Sequence, residues 1–357
     1  MPFLKTFFKS KTLYIVTTAL LTLGLTELAA HFPLAVEQIY SRGIYPYISI
    51  CFSYLTGWIP FSVTDLFYPA LVIFLVLLIV FTILRKLSIS HTFKLILNTV
   101  ALAYIAFYWL WGFNYYRADL NDRLDLATAQ PSTEEFTATF SWVIESTNQS
   151  WLRMDSLNQN DIQEAVANAY AENKQWLQLD RYGESRPKTP LFSRFWSAAG
   201  IGGYYGPFFS EIHTNHYLYP TEYPCVLAHE TAHRMGITSE AEANFYAWFV
   251  CHQSDDQRLQ YSANAYLLRF FIYQARHLPE FTELIQPVRE EVRADFRQLR
   301  AHYRALSNEQ IEKAASKAND AYLKTNKVKE GIDDYNGIIK YVMDYRTAQA
   351  SSLVDRP

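Results

Sequence analysis

The stretch AHETAHRMGITSEAEANFYAW, residues 228–248, decides the reading of this chain. His229 and His233 stand four residues apart with Glu230 between them, and Glu240 and Glu242 follow closely. On an α-helix, positions i and i+4 lie about 40° apart and one turn along, so both imidazoles project from one face at a separation that a single metal ion can bridge. Glu230 sits about 100° round from His229, beside such an ion and not on it. This is the geometry an HExxH helix offers: two neutral imidazoles hold Zn²⁺, and the carboxylate takes a proton from the water that the ion activates. With 9 histidines in 357 residues, a chance HExxH has a probability of roughly one in a hundred. The residues that follow therefore matter.

A catalytic zinc site needs a third protein ligand and one open position. Gly236 can end the first helix in the left-handed conformation, and Ser239 can cap the next one. Glu240 and Glu242 then compete for the ligand role, and at about 200° apart on the helix only one of them can face the ion. Ala243, Asn244, Ala247 and Cys251 fall within about 60° of Glu240, a stripe of small residues that lets this helix pack closely on the one bearing Ala228 and Ala232. Glu242 shares its face with Tyr246, Phe249 and Gln253, and stands where a capping-box glutamate folds back on Ser239. Glu240 is the preferred third ligand, with Glu242 the alternative. Asn244 lies where it could accept the free ring N–H of a ligand histidine. Cys225 shares the histidine face, but as a ligand it would close the open position, so it reads as buried packing. Whether Cys225 pairs with Cys251 stays open.

Working outward, residues 118–357 read as a mainly α domain with a small β element. Pro131-Ser-Thr-Glu-Glu135 carries a capping box from Ser132 to Glu135, and a helix is predicted over 161–179. RYGESRPKTP (181–190) has loop composition. GIGGYYGPFFSEIHTN (200–215) cannot be a helix interior, and Phe208–Asn215 is predicted as a strand. Further helices are predicted over 222–235, 240–252, 261–277, 280–305, 308–325 and 332–346.

The first third belongs to a different solvent. Residues 12–32, 61–85 and 93–113 are each apolar and long enough, at 1.5 Å per residue, to cross roughly 30 Å of hydrocarbon. The division is thus 1–117, a membrane domain with three transmembrane helices, and 118–357. Lys5, Lys9 and Lys11 precede the first span and Arg85, Lys86 and Lys94 border the second loop, while the loop from Pro33 to Pro60 carries only Glu37 and Arg42. The positive-inside rule then sets the N-terminus in the cytoplasm and everything after Arg117 outside. A cleaved signal peptide is the alternative for the first stretch. The net charge of −3 is close to neutral and argues neither for nucleic acid nor for an acidic partner, so no nucleic-acid partner is expected.

HETAH (229–233), followed by a helix running from Glu240 to Asn244, is similar to the gluzincin zinc metallopeptidases, in which a later glutamate is the third ligand. Asn244 stands where many of those enzymes have aspartate. Over nearly its whole length the chain resembles a bacterial membrane-protein family designated domain of unknown function 3810: three N-terminal spans, RGIYPYIS (42–49), IPFS (59–62), GGYYGPF (202–208), HETAHRMGITSEAEANF (229–245), and YLK with GIDDY (322–335). The resemblance implies a zinc-hydrolase architecture in a bacterial inner membrane and names no substrate. Because gluzincins bind peptide as an added strand at a sheet edge, Tyr204, Tyr205, His213, His216 and Tyr335 become candidates for oxyanion or substrate contact.

The expectation is a multi-pass membrane protein whose exported domain hydrolyses peptide or protein substrate with Zn²⁺ as cofactor and Glu230 as general base. Two alternatives use the same ligands: a non-catalytic, zinc-stabilised binding or assembly module of the cell envelope, and a zinc hydrolase of a non-peptide amide.

Overall fold

The computed structural model describes residues 11–128, 132–179, 181–183 and 185–354. Lys5, Lys9 and Pro131, used in the topology and capping arguments, lie outside the described residues. The chain divides into two compact units, one holding residues up to Ala118 with the short segments 183–185 and 206–211, the other holding the remainder.

In the first unit, the helices Lys11–Ala29, Val63–Ile83 and Ile89–Leu110 are long and apolar enough to cross a membrane. Their ends are set by local chemistry. Ser62 and Ser88 accept N-cap bonds from Asp65 and His91, and Arg85, at φ 57, turns the chain out of the second helix. The first and third helices are joined by polar contacts, Asn98 Nδ2 to Thr12 Oγ1 at 3.3 Å and Trp109 Nε1 to Thr22 Oγ1 at 3.1 Å, which hydrocarbon favours because it offers such groups no other partner. Residues 33–60 are not the plain loop the sequence suggests: they form the π-helix Val36–Ile44 and the α-helix Tyr45–Gly57. One of the two charges there, Glu37, is taken up in a bidentate pair with Arg117, 2.8 Å on each oxygen. The segment 206–211 closes on the second span, where the Glu211 carboxylate accepts from Thr64 N at 2.8 Å and Thr64 Oγ1 at 2.7 Å.

The second unit is built around one helix, Glu240–Gln253, whose residues from Glu240 to Cys251 are all buried. A helix hidden on every side shows no amphipathic stripe, and small residues decide which neighbour comes closest. The HExxH helix, Tyr223–Arg234, lies along it, with Ala228, Ala232, Ala243 and Ala247 wholly buried. Gln159–Asn173, Gln257–Ala275 and Ile338–Val354 pack round the same core helix. The Ser132 to Glu135 capping box opens the helix Thr133–Ser150.

Several predicted elements are redrawn. The helix predicted over 280–305 is two, Phe281–Leu284 and Glu290–Leu306, because Pro287 lacks the N–H that a continuous helix needs. The one over 332–346 divides into a 3-10 segment, Gly331–Gly337, and the α-helix Ile338–Val354. The helix over 161–179 ends at Asn173, and the one over 261–277 begins earlier, at Gln257, where Asp256 caps it. Short helices at Leu120–Leu124 and Ser193–Ala198 carry no sequence signal we read. The strand predicted over Phe208–Asn215 shortens to β2, Glu211–Thr214, which pairs in a hairpin with an unpredicted strand before it, β1, Gly203–Gly206. Its turn includes Ser210 at φ 54. The far edge of β2 is covered where Lys188 N donates to Ile212 O at 2.8 Å and Thr214 N donates to Lys188 O at 3.1 Å.

Candidate metal centre

The HExxH helix ends as its sequence dictates: Gly236 adopts φ 83, and the chain turns to Ser239, whose hydroxyl accepts from Glu242 N and starts the next helix. That reversal brings Glu240 back over the two histidines. His229 Nε2 and His233 Nε2 are 3.0 Å apart, and Glu240 Oε2 is 3.1 Å from the first and 3.4 Å from the second. Ligand bonds of about 2.0–2.1 Å at tetrahedral angles put ligand atoms about 3.3 Å from one another. The three atoms thus sit at the edge lengths a single tetrahedral ion imposes, and His229, His233 and Glu240 form a cluster that could hold a metal.

The donor chemistry fits as well. His233 Nδ1 lies 2.7 Å from Ile237 O, so Nδ1 carries the proton donated to that carbonyl, and in the neutral ring the lone pair is on Nε2, toward the cluster. Glu240 Oε2 is buried at ion-pair distance from both rings yet has no hydrogen-bond partner. Burial costs such an oxygen solvation, and a cation between the three groups would supply the missing partner. The side chains of His229, His233 and Glu240 keep 12 %, 10 % and 12 % exposure, so the cluster is not sealed against solvent.

Glu230 is buried, and its Oε2 likewise has no hydrogen-bond partner. Burial pushes its carboxyl up to about 7, against the lowering pull of His229 and His233 and with help from Glu240. It lies against the hairpin: a Cβ on Gly203 of β1 would stand 2.7 Å from Glu230 Oε1 and 2.8 Å from Glu230 Cγ. Burial lowers His233, but the neighbouring Glu240 carboxylate outweighs it and lifts the imidazole to about 9. Burial raises Glu240, and the two imidazoles overcome that to hold it well below the usual carboxylate range.

The two glutamates of the sequence argument separate cleanly. Glu242 points away from the cluster into a buried ion pair with Arg123, 2.5 Å, and so does not fold back on Ser239 as a capping-box residue would. Asn244 does not hold an imidazole. Its Oδ1 accepts from the Tyr266 hydroxyl at 3.2 Å and its Nδ2 donates to Tyr335 O at 3.3 Å, while Ile237 serves His233. Burial and then the nearby Glu240 carboxylate push the Tyr335 phenol well above its ordinary value. Tyr204 stacks on His213 with centroids 4.2 Å apart, and the tilted Trp196 ring lies 5.4 Å from it. Tyr205 packs on the core, and His216 is exposed beside Tyr217. Cys225 and Cys251 are both buried free thiols.

Three residues of the site escaped the sequence reading. Ile237 acts through its carbonyl, which no residue type marks. Gly203 was visible only as one glycine of GGYYG. Asp334 lies in GIDDY, and it accepts from Glu240 N at 2.7 Å.

No curated protein and no solved structure matches this chain. A family model does match, over residues 40–343, which include the second and third apolar helices, the hairpin, the His229, His233 and Glu240 cluster and the GIDDY segment. By that match the chain belongs to the family described as Protein of unknown function (DUF3810).

Proposed function

We propose that this protein is a membrane-anchored, zinc-dependent metallopeptidase of gluzincin type that cleaves peptide or protein substrate outside the cytoplasmic membrane. The observation that carries the reading is a pairing: three ligand atoms spaced at tetrahedral edges, with a buried carboxyl beside them whose Oε2 has no hydrogen-bond partner. A site that only braced the fold would need the ligands and not Glu230, whose burial without a partner costs about 1–3 kcal/mol. Such a cost persists where chemistry uses the group.

In this donor set zinc supplies Lewis acidity, lowering the pKa of water from about 15.7 to about 7. His229, His233 and Glu240 hold the ion, and Ile237 fixes the His233 tautomer. Glu230, a buried carboxyl beside the cluster, stands where it would take the proton from the attacking water and deliver it to the leaving amine. β1 presents backbone next to Glu230, since Gly203 leaves no room for a side chain between them. The Lys188 segment takes the far edge of β2. The basic residues around the second loop support an exported second unit.

The test is cleavage of an unstructured protein substrate by the purified full chain. Glu230→Gln should keep its zinc and lose at least a hundredfold in rate. Equal rates in the two proteins would overturn the reading, and a reporter fused after Arg117 that proved cytoplasmic would overturn the topology.

A further inference from the structure

The helix that carries the third ligand is held at its start by more than its own cap. Asp334, 94 residues further along the chain, places one oxygen, Oδ2, on three donors there: Glu240 N at 2.7 Å, Ser239 Oγ at 3.0 Å and Ala241 N at 3.3 Å. Its neighbour Tyr335 lies with its phenol close to the Glu240 carboxylate, and its carbonyl accepts from Asn244 Nδ2 at 3.3 Å. Two residues on, Gly337 packs so closely that a Cβ there would stand 2.8 Å from Ala241 Cβ. The 3-10 segment Gly331–Gly337 thus grips the first turn of the Glu240–Gln253 helix at backbone and side chain together.

Stability alone does not account for this arrangement. Ser239 already caps the helix through Glu242 N, and a second carboxylate beside Glu240 adds like-charge repulsion that burial strengthens. What the segment adds is geometry. Asp334 fixes the backbone from which the Glu240 side chain starts, and Tyr335 brings its phenol beside that carboxylate. The segment is itself anchored from another helix, since Asp320 Oδ1 accepts from Ile332 N at 3.2 Å beside Gly331 at φ 58.

We propose that Asp334 and Tyr335 are positioning residues of the metal centre, so that Glu240 is in place as third ligand only while the segment Gly331–Gly337 is docked. The inference rests on the metal-centre reading above and adds a regulatory consequence: whatever loosens this C-terminal segment lowers metal affinity. By linkage the effect is reciprocal, and bound metal must hold the segment down.

The experiment uses the full chain in detergent micelles with Co²⁺ and Zn²⁺ as probes. Tyr335→Phe should weaken metal binding roughly 10- to 100-fold and shift the visible bands of the cobalt protein. Asp334→Ala should weaken it at least as much, and Asp334→Asn, which keeps an acceptor, should restore most of the loss. In the unmutated protein, zinc should slow hydrogen exchange of the amides at 331–337, and that protection should shrink in Tyr335→Phe. Unchanged affinity and cobalt spectrum in Tyr335→Phe, or exchange at 331–337 indifferent to zinc, would overturn the proposal even if Asp334→Ala fails to fold. If the unmutated chain takes up neither metal, the metal-centre reading falls and this inference with it. If it binds metal and the variants bind equally, only the positioning role falls.

Discussion

Gly203 and Glu230 meet with no room for a side chain between them: a Cβ at 203 would stand 2.7 Å from Glu230 Oε1 and 2.8 Å from the backbone oxygen of His213. The carboxylate could swing away, but the strand carbonyl cannot. Gly203→Ala should therefore cost about 1–3 kcal/mol of stability and displace Glu230, lowering peptide cleavage at least tenfold while zinc content stays at the level of the unmutated chain. Thermal unfolding, metal analysis and rate, measured together, check this. Normal activity in Gly203→Ala would contradict the close approach.

Burial of Glu230 predicts a pH signature in the metal-free protein. Its folded pKa of about 7 lies above the ordinary 4.5, so between those values the native state binds more protons than the unfolded one. Its contribution to stability is whole below about pH 4.5 and is lost as pH rises through 7, an effect on the order of 3 kcal/mol. Glu230→Gln removes it. Metal-free Glu230→Gln should unfold at higher temperature than the unmutated chain at pH 8 and show a much smaller difference at pH 4.5. A gap independent of pH would contradict a desolvated carboxyl.

Metal uptake should release protons. His233, lifted to about 9 beside Glu240, is charged at pH 7 and must give up its proton to become a ligand. Binding at pH 7 should release about one proton per ion, and apparent affinity should rise about tenfold per pH unit until it levels near pH 9. Calorimetry in buffers of different ionisation enthalpy reads the proton count directly. Binding heats independent of buffer would show that the ring is already neutral.

The two glutamates of the second helix should fail differently. Glu240→Gln removes a ligand oxygen and should weaken zinc binding at least a hundredfold with modest loss of stability. Glu242→Gln breaks the buried pair with Arg123 and should destabilise the fold by about 3–5 kcal/mol while the folded fraction still binds zinc. Metal titration alongside chemical denaturation separates them, and the reverse pattern would exchange their roles.

The parts of this structure legible in the sequence are those fixed by short-range periodicity. The apolar runs gave three helices within a few residues, because crossing hydrocarbon constrains length and composition directly. The 229/233 spacing and the glycine at 236 placed two imidazoles on one face and turned the chain, and the stripe of Ala243, Asn244, Ala247 and Cys251 marked the side of the second helix on which Glu240 lies. What the sequence hid is decided by partners far along the chain. Arg123, 119 residues from Glu242, takes that carboxylate away. Asp334 and Tyr335 reach the Glu240 helix from more than 90 residues later. The role expected of Asn244 went to the carbonyl of Ile237, which has no signature in residue type. The hairpin was read as one strand because Pro207-Phe-Phe-Ser210 is apolar enough to look extended, although Ser210 adopts a left-handed turn there.

The claim on which the whole account stands is that His229, His233 and Glu240 hold one divalent ion, and metal analysis of the full chain purified without chelator tests it most directly. We predict one zinc per chain, retained in Glu230→Gln and absent from folded His233→Ala. Folded, unmutated protein that carries no stoichiometric metal and takes up none on titration would contradict it.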